Sequence, residues 1–195
     1  MKKRLFLALA IIFSVVSLYS QNGFNLKSLH LFPEGELVDS SNITVTFRPF
    51  YLSAQITNVD FREFWDFVKA NPDNELKWVE MPKLSDDNSK PQPTIKKIKY
   101  SDIATISFNQ ENWPNENYFY SEEYNYSPVI GISSDLKFYF CVWLTDRLHS
   151  NSSDSEVSYS SNYYIPSEYQ LEYASKIEPS FFAEDECGFR VAIAK

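Results

Sequence analysis

The thiols of Cys141 and Cys187 are the side chains best suited to chemistry in this 195-residue chain. Cu(I) prefers thiolate ligands, so the two residues could bind copper as a pair. In an oxidising compartment they could instead form a disulfide, and in a packed core they could remain separate buried thiols. The residues alone leave these three alternatives open, and copper binding is the least favoured of them.

The remaining titratable candidates lack the spacing that a reactive site needs. His30 and His149 lie far apart, and neither stands at zinc-ligand spacing from another ligand. Asp86 and Asp87 lie in a short run of oxygen-bearing side chains that lacks the D-x-D-x-D-G pattern of a calcium loop. We therefore expect surface roles for all four and predict no catalytic or metal-binding residue.

The segment 109–126 is rich in Asn, Glu and Tyr but has neither helical nor strand periodicity. It predicts a long ordered loop that its own aromatic rings hold together. Four of these rings could also form a surface that binds a sugar or a peptide: Trp113, Tyr118, Tyr120 and Tyr124. Interior packing is the favoured interpretation, because a long loop needs its own side chains to stay ordered.

The charge balance excludes a general nucleic-acid-binding protein. Acidic residues number 26 against 18 basic ones, and such a surface repels phosphate. Outside the first four residues, the one basic cluster is Lys96, Lys97 and Lys99, which predicts a solvated strand edge. With four glycines in the chain, no glycine-rich phosphate-binding motif is present.

The amino-terminal residues predict a secretory signal peptide over 1–20 and a single domain over 21–195. Three cations at residues 2–4 precede the apolar run Leu5–Val16, and the small residue Ser20 precedes a polar turn. No segment approaches the roughly 18 apolar residues that a membrane span needs. We therefore expect a secreted or periplasmic protein without a membrane span.

A predicted strand and helix between Pro128 and Leu148 organise the domain. Apolar residues at 129–132 predict a short buried strand, and Ser133 or Ser134 then offers a helix N-cap. Bulky apolar residues recur at helical spacing after that point: Leu136, Tyr139, Phe140, Trp143 and Leu144. Because its other faces are also apolar, we expect this helix in the core, and a serine-rich loop at 149–162 after it.

Two further helices have recognisable starts. One is predicted after Thr57, where Asp60 completes a capping box, and it ends before Pro72. The other is predicted after Ser167, with Gln170 in the equivalent position.

Four stretches resemble, in the correct order, the motifs of the sulfatase-modifying-factor family, whose namesake is the formylglycine-generating enzyme. They are QITNVDFREF (Gln55–Phe64), SPVIGISSDLKFYFCVWL (Ser127–Leu144), IPSEYQLEYA (Ile165–Ala174) and CGFRVA (Cys187–Ala192). The resemblance implies an irregular α+β fold of the C-type-lectin-like type, low in regular secondary structure. The loop before Pro128 looks most like the branch of gliding-motility lipoproteins of Bacteroidetes, which has this fold without known catalysis.

The resemblance also bears on individual residues. Cys141 matches a structural cysteine of the family's helix, but the family's partner position is Val191 here, so a disulfide to Cys187 remains an alternative. Glu168 and Glu172 could suggest paired carboxylates, yet the match places them on a helix surface.

The closing segment Phe189–Ala194 matches the family's last strand, and its pattern agrees. Phe189, Val191 and Ile193 alternate onto one face, while Arg190 faces the other and can meet acidic loops. We expect this strand to pair within the core sheet, beside an early strand.

The departures from the family decide the predicted function. In active members a long segment before the closing strand holds calcium ligands and the copper-binding cysteine pair, but here residues 175–186 alone fill that interval. Twelve residues span at most about 40 Å, too little for that substructure. We therefore predict a catalytically inactive, truncated domain without copper or calcium, acting as a binding or assembly module for a protein partner in the cell envelope. The alternative is an active formylglycine-generating oxidase that uses Cys141 and Cys187 on a sulfatase cysteine.

Overall fold

The computed structural model describes residues 29–80, 93–151, 162–182 and 188–195. Several predictions concern residues outside these ranges: the signal peptide at 1–20, the run with Asp86 and Asp87, and Cys187. They stay predictions.

Strands and helices alternate irregularly along the described residues. The strands are β1 Leu29–Phe32, β2 Gly35–Val38, β3 Thr44–Phe47, β4 Phe50–Ser53, β5 Glu75–Glu80, β6 Thr94–Lys99, β7 Tyr163–Tyr164 and β8 Ala192–Ala194. The helices are α1 Asn58–Ala70, α2 Tyr100–Ile103, α3 Ser134–Asn151 and α4 Glu168–Ile177. Two 3₁₀ turns are Glu122–Tyr124 and Pro179–Phe182.

The main sheet of the described residues is antiparallel, with strand order β1-β4-β8-β7. Sheet and helices are not arranged as alternating units, which confirms the predicted α+β class. The closing strand lies between β4 and β7, with Tyr51 opposite Ile193, so its predicted place beside an early strand is confirmed. Pairing begins before β8 itself, because Ile56 N donates to Phe189 O at 2.9 Å.

Two separate apolar cores cover the two faces of this sheet. The larger core contains one face of α1 and α3 together with Phe189, Val191 and Ile193. The smaller core, on the opposite face, contains Ala192 with residues from β1 to β4 and from α4. The alternation predicted for the closing strand is therefore confirmed, and β8 contributes to both cores.

Arg190 points away from the larger core, as predicted, and is buried. Its guanidinium donates to Ser53 O at 2.7 Å and to Phe181 O at 3.0 Å. It also lies over the rings of Phe181 and Phe182, at 4.4 and 4.8 Å from their centroids. The acidic segment 184–186, to which a contact was predicted, lies outside the described residues.

The predicted helix starts are confirmed. Thr57 and Asp60 form a capping box at the start of α1, and Ser167 and Gln170 form one at the start of α4. Ser133 caps α3, because its Oγ accepts a hydrogen bond from Leu136 N at 3.2 Å. These devices depend on residues three positions apart, so the local sequence specifies them.

Helix α3 lies in the larger core, and Trp143 on its buried face is 2% exposed. Two details differ from the prediction. Residues 129–132 do not form a strand; one isolated bridge joins Thr57 to Pro128, and Val129 N donates to Ile56 O. Helix α3 also continues to Asn151, so the predicted serine-rich loop does not start at His149.

The basic cluster lies on the hairpin of β5 and β6 and is exposed, as predicted. Lys97 forms an ion pair with Glu75 at 2.8 Å, and Lys96 forms one with Glu80 at 3.4 Å. The hydrogen bond from Lys97 lowers the pKa of Glu75. Because these groups are solvated, the pairs add little to stability.

Candidate binding cleft

A cleft of about 630 Å³ opens beside the amino-terminal end of α3. The segment 107–112 forms one wall, residues 129–133 form another, and Gly188 closes the side next to the last strand. Its polar lining residues are Ser107, Asn109, Asn112, Ser133 and Lys137. Its apolar lining residues are Val129, Ile130 and Ile132. A concave site with an apolar floor and a few polar groups is the usual form of a small-ligand site.

Two hydrogen bonds, one of them between backbone groups at Gly131, hold the first two walls together. Asn109 N donates to Gly131 O at 2.8 Å, and Trp113 Nε1 donates to Ile130 O at 3.2 Å. Gly131 has a φ of +75°, and a Cβ there would stand 1.9 Å from Asn109 O. Any larger residue would therefore push the two walls apart.

Gly188 closes the cleft under the same kind of constraint. Its φ is +106°, and a Cβ there would lie 2.9 Å from Pro128 Cβ. Next to it, Ile56 lies just before α1 and forms backbone hydrogen bonds with two other segments. Its O accepts from Val129 N, and its N donates to Phe189 O. Three of the four family-like stretches therefore meet beside this cleft, although they are distant in sequence.

Lys137 is the charged residue among the described residues that line the cleft. Its Nζ lies 5.5 Å from the centroid of the buried Phe189 ring, a cation–π distance. Asn112 and Ser107 are exposed and can offer amide and hydroxyl donors to a ligand. The chemistry of the cleft is therefore that of a cationic group and neutral donors above an apolar floor.

The aromatic loop packs mainly on itself and on the cleft walls. Tyr118 is 4% exposed, and its hydroxyl donates to Pro128 O at 2.7 Å. Trp113 and Tyr124 are half-buried, whereas Tyr120 is 52% exposed. Tyr118 is therefore in the interior, as the favoured interpretation expects, and cannot contribute to the alternative surface of four rings; a binding role for the others stays a prediction. The physical reason is that these rings supply the loop with a core of its own.

Cys141 faces the larger core, where no solvent reaches its thiol. The residue is 1% exposed, and burial raises the pKa of its thiol to about 12. Since the thiolate is the reactive and metal-binding form, this thiol is suited to packing. Cys187 lies outside the described residues, so the disulfide between the two stays a prediction.

The other candidates lie on the surface and apart from one another. His30 Nε2 lies 2.6 Å from Glu178, and both side chains are substantially exposed. Glu168 and Glu172 are exposed on α4, and Glu172 pairs with Lys176 at 2.8 Å. The side chain of His149 falls outside the described part. Over the described ranges, no three His, Cys, Asp or Glu residues come together as a group able to hold a metal ion.

Comparisons with known proteins leave the resemblance untested. No protein-family model, no curated protein and no solved structure matches this chain. Among the described residues, no helix is both long and apolar enough to cross a membrane.

The polar residues that line the cleft are not among the site residues that the sequence predicts. Ser107, Asn109, Asn112 and Lys137 are ordinary surface types, and no local pattern distinguishes them. One signal was present: two of the four glycines, Gly131 and Gly188, fall inside family-like motifs, and scarce glycine commonly marks a constrained backbone.

Proposed function

We propose that this chain is a non-catalytic binding module, secreted or periplasmic, that binds a protein partner in the cell envelope through the cleft beside α3. We further propose that its fold is a truncated sulfatase-modifying-factor domain of the C-type-lectin-like type. The observation that supports this proposal is the cleft itself, in which a backbone hydrogen bond that requires glycine at position 131 helps to hold the walls together. A site that is formed before binding loses little conformational freedom on binding, which favours affinity.

The buried thiol of Cys141 supports a binding role over the oxidase alternative. A copper-dependent oxidation of a sulfatase cysteine needs accessible thiolates, and Cys141 has a pKa raised to about 12. The cleft, in contrast, presents neutral donors and one ammonium group, which suit recognition.

The experiment is capture of the partner from an envelope fraction by chemical cross-linking, with a cleft variant and a matched control. Asn112→Trp adds a bulky ring to an exposed residue that lines the cleft, whereas Gln110→Trp adds the same ring to an exposed residue of the same loop outside the lining. We expect wild type and Gln110→Trp to capture the same protein and Asn112→Trp to lose it. Equal capture by all three would show that the cleft is not the site.

A second measurement addresses catalysis. A cysteine-containing sulfatase peptide, incubated with the protein, Cu(I) and oxygen, should keep its cysteine in mass spectrometry. Conversion of that cysteine to formylglycine would overturn the non-catalytic proposal in favour of the oxidase.

A further inference from the structure

We infer that the ligand of this cleft carries a carboxylate and that Lys137 is the residue that binds it. The inference rests on the proposed function, because it names the chemical group that the partner presents to the same site. It follows from the charge, the fixed position and the neighbours of the Lys137 ammonium.

The ammonium of Lys137 carries a charge that the described residues do not neutralise. Lys97 is paired with Glu75 on the neighbouring strand and Lys176 with Glu172 on its own helix, at 2.8 Å in both cases. Across the described residues, no ion pair to Lys137 is formed. Within the described ranges, its ammonium thus lines a concave site without a carboxylate partner, and there it can bind an incoming anion.

The position of this ammonium is constrained. Lys137 is half-buried on the first turns of α3, and Phe189 beneath it is 8% exposed. The cation–π contact at 5.5 Å keeps Nζ over the ring and inside the lining of the cleft. A cation that is already held in place loses less side-chain entropy when it binds an anion.

The other lining groups match the rest of a carboxylate ligand. Ser107 and Asn112 supply a hydroxyl and an amide that can donate to its second oxygen. Val129 and Ile132, 1% and 8% exposed, form an apolar floor for the carbon chain next to it. The set therefore fits a carboxylate attached to an apolar group.

The same observations argue against phosphate or a polyanion. Phosphate sites generally use arginine forks or several cations, and one ammonium is present among the described lining residues. The net charge of −8 repels a nucleic acid or another polyanion over the whole surface. A singly charged carboxylate is matched by a single ammonium group.

A protein partner can present this group in two ways, as a chain-terminal carboxylate or as an Asp or Glu side chain. Two probes distinguish the sources: N-acetyl-leucine, which has a free terminal carboxylate, and N-acetyl-glutamic acid α-amide, which has only the side-chain carboxylate. N-acetyl-leucine amide is the neutral control with the same apolar group as the first probe.

Binding can be read from glycine amide signals in NMR, using full-length protein labelled with ¹⁵N-glycine. The chain has four glycines, so Gly131 and Gly188 report on the cleft and Gly35 reports on a distant hairpin. We expect at least one carboxylate probe to shift the signals of Gly131 and Gly188 but not that of Gly35. Its affinity should exceed that of the amide about tenfold and fall with added salt.

Lys137→Gln removes the charge and keeps most of the stem, and Lys176→Gln makes the same change on α4. We expect Lys137→Gln to lower the affinity of the carboxylate probe about tenfold and Lys176→Gln to leave it unchanged. The unchanged positions of the other glycine signals verify that each variant is folded. If no probe shifts these signals at a concentration of about 10 mM, the inference is wrong.

Failure of this inference and failure of the proposed function give different results. If the neutral amide shifts Gly131 and Gly188 as strongly as the acids, or if Lys137→Gln binds normally, the carboxylate assignment is wrong although the cleft binds ligands. If the acids bind at Lys137 but Asn112→Trp still captures the envelope partner, the carboxylate assignment holds and the proposed function is wrong.

Discussion

Truncation of Trp143 to alanine tests whether α3 is the centre of the larger core. The indole is 2% exposed and packs against the rings of Phe64 and Phe140, at centroid distances of 5.5 and 5.9 Å. Arg147 covers it on a further side, at 4.7 Å from the ring centroid. Removing the ring therefore leaves a cavity bounded by groups from two helices.

The expected cost follows from the buried area. A buried tryptophan removes roughly 150–250 Å² from water, which at about 25 cal/mol/Å² corresponds to roughly 4–6 kcal/mol. One term acts in the opposite direction. Within the described residues the Nε1 of Trp143 is buried without a hydrogen-bond partner, so its removal recovers about 1 kcal/mol. We expect Trp143→Ala to lower the free energy of unfolding by about 3–5 kcal/mol.

Urea denaturation followed by far-UV circular dichroism gives the free energy of unfolding of each variant. Tyr126→Ala is the control, because that ring is 84% exposed and its loss should change stability by less than about 0.5 kcal/mol. Trp143→Phe keeps an aromatic ring and removes the unpaired N–H, so it should cost less than about 2 kcal/mol. A loss below about 1 kcal/mol for Trp143→Ala would show that α3 is peripheral and that the core has been wrongly assigned.

Three further predictions concern the cleft, the closing strand and the buried thiol. Gly131→Ala should cost at least about 2 kcal/mol in the same urea assay, because of its φ of +75° and the Cβ contact with Asn109 O. Deletion of residues 188–195 should abolish the cooperative urea transition, because it removes β8 from both cores. In a Cys187→Ser variant, Cys141 should resist iodoacetamide at pH 8 until the protein unfolds, because its pKa is raised from 9.0 to about 12. The contribution of this thiol to stability is complete below pH 9 and is lost as the pH rises towards 12.

Each of these has an outcome that would contradict it. Asn42 also has a positive φ, 59°, so Asn42→Gly should be neutral where Gly131→Ala is costly; equal effects would remove the steric argument. A truncated chain that stays monomeric and unfolds cooperatively would make the closing strand an appendage. Rapid labelling of native Cys141 would show that its burial is transient.

The elements that could be predicted from the sequence are those that depend on near neighbours. The capping boxes of α1 and α4 each need two polar residues three positions apart, and both were identified. The apolar run at 129–132 predicts a strand but does not form one. Its backbone hydrogen bonds, such as that from Val129 N to Ile56 O, do not continue as a β-ladder. A run of apolar residues predicts burial, and Val129 and Ile132 are buried without belonging to a strand.

The cleft could not be predicted because distant parts of the chain build it. Asn109 and Gly131 meet through a backbone hydrogen bond that no local pattern encodes, and Gly188 comes from a third segment. The burial of Tyr173 has no local signal for a similar reason: it is 6% exposed because it packs under Gly35, where a Cβ would stand 2.2 Å from its hydroxyl. In both places a glycine is the only local indication of a long-range contact.

The position of β8 between β4 and β7 has a consequence for how the chain reaches its native state. Val191 N donates to the hydroxyl of Ser53, 138 residues earlier in the sequence. Contacts of such separation close slowly, and helices α1 and α3 can form long before the sheet does. Until β8 arrives, one edge of β4 stays unpaired between two incomplete cores, and that edge can pair with another chain. At high concentration, refolding yield should therefore be limited by intermolecular strand pairing at β4, and a peptide with the sequence of residues 188–195 should raise the yield by occupying that edge.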